Sequence, residues 1–332
     1  MLPLRDALRR ELAGAAVPGG AIQPFLCTRG GEAVGCASAI VNPRLADAPG
    51  TPVGQVGHFV CADDREAAAA LFDAAFAWLR ARGARRVLAP MNGGVHLAHR
   101  LLVSGFEQAP FLLEPRNPRW VPALFEAAGF SVVHRWKTWE VERAAFAPLR
   151  ERLAAVGRRG GPGTRIEWLD TGADPRGALA RVHALLDLAW AGHVGWAPIT
   201  LGELAASFGA LLPLLPPHHL AVLVDASGRD LGFGFMFPDW IDEVRALRGD
   251  ASGWGRWMGT ATARRVVAHT VAMIPEARGH ATGARLVEAG LASALAHGYA
   301  SLVFPLTTES FRFWEHVLPP ATRVYALYGR SL

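Results

Sequence analysis

The sequence predicts two α/β domains of the same kind in tandem, each built on a mixed sheet. Three observations lead there. At 332 residues the chain exceeds what one hydrophobic core usually serves. Hydrophobic residues make up 51% and charged residues 19%, enough apolar material for two packed cores. And one pattern of strand, helix, Gly stop and strand occurs twice at a fixed spacing.

The first helix of that repeat is expected over 66–82, where Leu71, Phe72, Ala75 and Leu79 share a stripe; Gly83 stops it and ARRVLAP follows as a strand. Its counterpart runs from Gly283 to His297, stops at Gly298 and continues into SLVFP. Leu286, Gly298 and Pro305 each lie 215 residues beyond Leu71, Gly83 and Pro90. Residues 264–275 (RRVVAHTVAMIP) are apolar and β-branched enough for a strand buried on both faces. GRRGGPGT (157–164) has the composition of an exposed connection and lacks the Gly-Lys-Ser/Thr of a phosphate-binding P-loop. The expected division is 1–145, a linker over 146–164, and 165–332.

Composition narrows the function. The formal charge of +5 suits an anionic partner, yet the arginines are scattered singly and in pairs and Lys137 is the only lysine. This pattern favours a small anionic ligand over nucleic acid. No apolar run reaches membrane-spanning length, and the first ten residues do not read as a signal peptide. Cys27, Cys36 and Cys61 are unclustered and odd in number, which fits reduced thiols in a cytoplasm and no metal site. There is no H-E-x-x-H, paired C-x-x-C, G-x-S-x-G or G-x-G-x-x-G.

The chemistry-bearing segment follows the 264–275 strand: Glu276-Ala277-Arg278-Gly279-His280-Ala281-Thr282-Gly283-Ala284, then a helix. A Gly-containing turn into a helix N-terminus gathers unpaired N–H groups and positive potential, and Arg278 adds a charge. From the residues alone, an anion site and an ordinary turn both fit. The stretch Met273-Ile274-Pro275-Glu-Ala-Arg278-Gly-His-Ala-Thr-Gly283 resembles the acyl-CoA-binding motif of the GCN5-related N-acetyltransferase (GNAT) superfamily, Val-x-Pro-x-x-Arg/Gln-x-x-Gly-x-Gly/Ala. GHFVCADD, RGARRVLAPMNGG, AWAGHVGWAPIT and GFGFMFPDW look like bacterial tandem-GNAT proteins. The resemblance implies two GNAT folds and a site in which Arg278, Gly279, His280, Ala281, Thr282, Gly283 and Ala284 cradle the diphosphate. Met273 and Ile274 would pair with the pantetheine arm. Ala281 stands where the family prefers Gly. The implied co-substrate is acetyl-CoA, a longer acyl-CoA, or acyl-phosphopantetheine on a carrier protein.

The spacing of 215 lands Arg278 to Gly283 on residues 63–68, which hold Asp63, Asp64 and Glu66 and no glycine. Carboxylates there would repel a diphosphate, so the first copy is expected to be a degenerate partner that walls the acceptor pocket. Acyl transfer to an amine needs a general base, and the strand before the loop offers His269, placed by alternation with Val271 and Met273. A hydrogen-bonded core histidine is the alternative. Trp314 takes the place of the family's usual Tyr acid. His193 and Trp196, in AWAGHVGWAPIT, and Asp239 are candidates for the acceptor pocket, with core packing the alternative for Trp196. The expected activity is N-acyl transfer to a small-molecule, peptide or natural-product amine, with a carrier protein as a further partner. The alternative is a catalytically silent acyl-CoA sensor or scaffold.

Overall fold

The structure is a computed structural model describing residues 5–15, 17–160, 163–250, 262–279 and 281–332. After a short helix α1 (Arg5–Arg10) come strands β1 (Ala21–Arg29), β2 (Glu32–Ala48) and β3 (Thr51–Cys61), helix α2 (Arg65–Arg80) and strand β4 (Arg86–Ala89). The first half finishes with β5 (Leu101–Ser104), α3 (Val121–Ala127) and β6 (Ser131–Glu142). Helix α4 (Phe146–Gly157) leads to β7 (Arg165–Trp168), α5 (Pro175–Trp190), α6 (Leu201–Phe208), β8 (Leu220–Val224), β9 (Asp230–Pro238) and α7 (Ile241–Ala246). The second half closes with β10 (Arg265–Met273), α8 (Gly283–Ala296), β11 (Ser301–Thr308), α9 (Phe313–Val317) and β12 (Arg323–Ser331).

The expected repeat is visible as β3-α2-β4 and β10-α8-β11, each a parallel pair joined by a crossover helix. Helix α2 forms because Ala and Leu dominate its sequence, and Asp64 caps it by accepting a hydrogen bond from the Ala67 N–H at 3.0 Å. It buries Leu71, Phe72, Ala75, Phe76 and Leu79. Those rings pack with Phe125, Phe130 and Tyr328.

Sheet order is where the two halves stop being separable. The strands run β1-β2-β3-β4-β12-β6-β11-β10-β9-β8-β7, with β5 pairing β12. The last strand of the second half, β12, is antiparallel to β4, and the last strand of the first half, β6, is antiparallel to β11. Each half lends its final strand to the other, and β12 and β6 pair at the centre from Arg323↔Thr138 to Gly329↔Ser131. The expected cut at 145 and 165 runs across this exchange. The stretch expected as a linker is mostly α4, because Phe146, Leu149 and Leu153 bury against α8.

The register also fixes which residues share a face. Ala326 lies opposite Arg135 and Tyr325 opposite Trp136. Ala326 packs under α2, while Trp139, on the same side of β6 as Arg135, packs under α4 and α8. Helices α2, α4 and α8 therefore cover one face of a continuous sheet. The opposite face carries Trp136, Tyr325 and Val267 and is covered by α5, α6, α7 and a first-half segment bearing Phe111 and Leu112. No helix among the described residues is long and apolar enough to cross a membrane.

A chain lacking 323–332 leaves β4 and β6 without their shared neighbour. It should lose cooperative folding of the whole molecule rather than of its C-terminal end. Near-ultraviolet circular dichroism and thermal melting check this: an intact single transition in the truncated chain refutes it.

Candidate functional site

Strands β10 and β11 stay in register only over Arg265–Val267 and Ser301–Val303. Beyond that point they part, although β10 reaches Met273 and β11 reaches Thr308. A register shift in β10 against β9 between Val267 and Thr270, and another in β11 against β6 between Phe304 and Thr307, drive them apart. Beneath α8 a small cavity of about 30 Å³ is lined by Gly234 and Met236 of β9, Ala268 and Thr270 of β10, Leu302 and Phe304 of β11, and Gly290. The open edge of β10 offers unpaired backbone groups to an extended guest. Ile274 is not among these groups, since its N–H is donated to Leu231 on the β9 side.

At the end of β10 the chain takes nine residues, 274–282, to reach α8. Gly279 and Ala281 adopt positive φ of 76° and 59°. The left-handed turn at Ala281 gives the physical reason a glycine suits that position better. Thr282 gives its hydroxyl proton to the Ala277 carbonyl at 3.0 Å and does not cap the helix. Ala284 and Arg285 bond back to Ala281 and Thr282, and the N–H groups of Thr282 and Gly283 have no partner among the described residues. The side chain of Met273 packs beside Gly283. Arg278 donates Nε to the Met273 carbonyl at 3.1 Å and Nη2 to the Ala189 carbonyl at 2.6 Å, tying the loop to the end of α5. His280 lies outside the described residues.

The equivalent turn of the first copy is built differently. Only 62–64 connect β3 to α2, so the fixed spacing of 215 overruns a shorter loop. The Asp64 carboxylate fills the helix N-terminus and also pairs with Arg29 at 2.8 Å. An anion would meet a charge of its own sign there.

His269 sits in the bulge of β10, which breaks the simple alternation with Val271 and Met273. Its ring lies 5.5 to 6.0 Å from Phe208, Phe235 and Phe237. Nδ1 meets the Thr270 hydroxyl at 2.8 Å, and Nε2 has no partner among the described residues. Burial among these rings, helped by the Arg100 charge, holds its pKa down to about 4, so the imidazole is neutral near pH 7.

His193 is exposed next to the loop, its pKa lowered by partial burial and by the charges of Arg278 and His134. Trp196 is half-buried and stacks on Trp190 with centroids 5.9 Å apart. Asp239 does not reach for an amine. One of its oxygens accepts from the Leu112 N–H at 2.8 Å and the other from Arg265 at 2.6 Å, so both serve to fasten the first-half segment to the second half. Trp314 is 4% exposed and stacks on Phe304 at 4.4 Å, leaving no hydroxyl at that place.

No family model matches the chain. A tandem GNAT protein from the clavulanic acid biosynthesis pathway superposes with a TM-score of 0.52 at 16% identity, over 97% of this chain and 87% of that one. A GCN5-related N-acetyltransferase from Sphaerobacter thermophilus matches 93% of this chain and 80% of that one, with a TM-score of 0.50 and 12% identity. The chain carries the tandem GNAT fold. A probable N-acyltransferase from Enterococcus faecalis gives a TM-score of 0.56 at 9% identity, over 99% of this chain and 66% of that one. By sequence, Protein YghO of Escherichia coli K12 is 23% identical over 238 residues, 70% of this chain. The bacterial ceramide synthase of Caulobacter vibrioides is 27% identical over 241 residues, 71% of this chain. Those matches span 60% and 61% of the two curated relatives' own lengths.

In this tandem GNAT fold the sequence left one feature unread: a polar seam where the copies meet, on the same face as His269. Glu140 of β6 pairs with Arg265 of β10 at 3.0 Å and with Arg323 of β12 at 3.4 Å. Fully buried Arg323 also meets Glu114 at 3.1 Å, which accepts from the Tyr325 hydroxyl at 2.6 Å. Scattered singly along the chain, these residues carry no motif; only the strand exchange assembles them. His96, His99, His134 and Arg100 complete the first copy's side of the seam.

Burial holds the pKa values of His96, His219 and His269 down to about 4, against 6.5 when unfolded. Here the unfolded chain takes up protons that the folded one refuses. Stability is therefore fully present above pH 6.5 and falls as pH drops towards 4. His219, 1% exposed, would by itself remove about 3 kcal/mol by pH 4. Urea midpoints measured from pH 7.5 to 4.5 should fall steadily; a flat profile contradicts the burial of these rings as neutral groups.

Proposed function

We propose that the second copy is an N-acyltransferase, moving an acyl group from an acyl-CoA, or from acyl-phosphopantetheine on a carrier protein, to an amine. The observation that carries this reading is the contrast between the two crossover turns. One is closed by the carboxylate of Asp64; the other is long, left-handed at Gly279 and Ala281, open at the N–H groups of Thr282 and Gly283, and flanked by Arg278. A diphosphate has the charge and the acceptor oxygens for the second and is repelled by the first. The edge of β10 left free where it parts from β11 suits an extended pantetheine arm. Likeness to a protein named bacterial ceramide synthase supports a chain longer than acetyl, since ceramide is a fatty-acid amide. Three free thiols suit a cytoplasmic setting.

The thioester supplies an electrophilic carbonyl carbon. The amine nitrogen adds to it, the C–S bond breaks as the C–N bond settles, and one amine proton must leave. His269 has a neutral ring with Nε2 open to take that proton. His193 and Trp196, at the mouth beside Arg278, flank the acceptor's route.

Two observations favour a second reading, a silent acyl-CoA sensor or scaffold. A histidine held near pKa 4 takes a proton weakly, and Trp314 offers none to a departing thiolate.

Arg278→Ala should weaken coenzyme A binding, measured by calorimetry, by about tenfold or more, because a charged contact is lost. Asp64→Ala should leave it unchanged, and the reverse pattern would move the donor site to the first copy. His269→Ala should keep thioester binding while cutting turnover by roughly 10²- to 10⁴-fold. Wild-type protein that binds thioesters and acylates none of a broad amine panel supports the silent reading instead.

A further inference from the structure

Arg100 belongs to the first copy but stands on the face that carries His269. Its guanidinium lies over the Trp136 ring at 4.3 Å, and its Nη1 is buried with no hydrogen-bond partner among the described residues. Among the described residues its side chain bonds only to His99, donating Nε to Nε2 at 2.8 Å with Nη2 beside it on the same nitrogen. That histidine gives its Nδ1 proton to the Leu97 carbonyl at 2.8 Å, so Nε2 is the acceptor and the ring is neutral.

The titratable neighbours of Arg100 among the described residues, His99, His134, His269 and Tyr325, are uncharged near pH 7. No carboxylate pairs with it among the described residues, and the residues outside that set include no Asp or Glu. The other buried arginine of the seam, Arg323, has two carboxylates. Burial lowers the Arg100 pKa to about 9, in keeping with a charge that has no acid beside it. The backbone adds to the cost, since Arg100 holds a positive φ of 70°, a left-handed conformation that a residue with a Cβ rarely adopts. A buried cation in a strained conformation with a free donor is expensive unless something anionic completes it.

We propose that Arg100 receives an anionic oxygen group, carboxylate or phosphate, carried by the amine that the second copy acylates. This rests on the acyl-transfer reading and narrows its acceptor to amines bearing a negative charge. With Nε and Nη2 turned on His99, the end of the guanidinium at Nη1 is left to donate to an anionic oxygen, Trp136 fixes its plane, and Arg100 stands on the face that carries His269, whose pKa its charge helps to lower. The first copy would then supply the specificity of a reaction carried out by the second.

Melting temperature in sodium acetate and in sodium phosphate, each against sodium chloride at equal ionic strength, tests the anion site without any acyl donor. Wild type and Arg278→Ala should rise saturably with one or both anions, and the stronger response tells carboxylate from phosphate. Arg100→Met should show no rise and should melt no lower than wild type in chloride. An equal rise in Arg100→Met, or none in wild type, overturns the site. If Arg100→Met does not fold, Arg100→Lys should weaken the response about tenfold by losing the planar fork, and an unchanged response overturns the proposal. With a thioester that wild type turns over, glycine should outcompete methylamine by about ten- to a hundredfold if the anion is a carboxylate, and phosphoethanolamine should outcompete ethanolamine if it is a phosphate. Arg100→Met should erase that preference; its persistence refutes the acceptor role. Coenzyme A binding measured in parallel separates the readings: intact binding without an anion response sinks only this proposal, whereas no binding sinks acyl transfer itself.

Discussion

Strand β12 sits between β4 and β6, and β6 sits between β12 and β11, so neither half of the chain can finish its own sheet. The pairing of β12 with β6 is the seam of the molecule. Ion pairs from Arg323 and Arg265 to Glu140, and from Arg323 to Glu114, lie across that seam in a buried setting. Buried pairs of this kind add little net stability but penalise any arrangement that separates them. Register between the copies, and so the position of one copy's side chains over the other's strands, is set here.

That constraint decides what each copy contributes. With α2, α4 and α8 on one face, the other is left for loops and for α5 and α6. Phe111 and Leu112 from the first half enter the second half's core, and Asp239 holds Leu112 by its N–H. The loop bearing Val95 meets the loop bearing His193 and Trp196 through the bond from Val95 N–H to the Gly195 carbonyl. The copy whose crossover turn is closed by Asp64 thus packs its loops against those of the other copy.

How much of this was legible in the sequence depends on range. Helices α2 and α8, and strands β4, β10 and β11, follow from local periodicity and Gly stops, and they lie within a few residues of expectation. The strand exchange was not legible, because an alternating pattern in β6 or β12 says which face is buried but not which strand lies beside it. The same limit hid the use of Asp239, whose partners Leu112 and Arg265 are remote or anonymous in sequence. The 146–164 stretch read as a linker from its Gly-rich end, while Phe146, Leu149 and Leu153, the stripe that makes it a helix, lay just upstream. Arg100 carried no signal at all, since an arginine looks solvated until the strands around it leave it without an acid.

The central position of β12 also sets an order of events during synthesis. Strands β1 to β4 and β6 leave the ribosome early, with the facing edges of β4 and β6 unpaired until a strand made some 180 residues later arrives between them. An exposed strand edge is an invitation to pair wrongly, above all with another nascent copy of the same chain. The halves can nucleate separately, but maturation waits for the far end. The molecule is thus built so that the parted strands β10 and β11 and the first-half segments packed beside them come into being together, and a partly made chain carries neither.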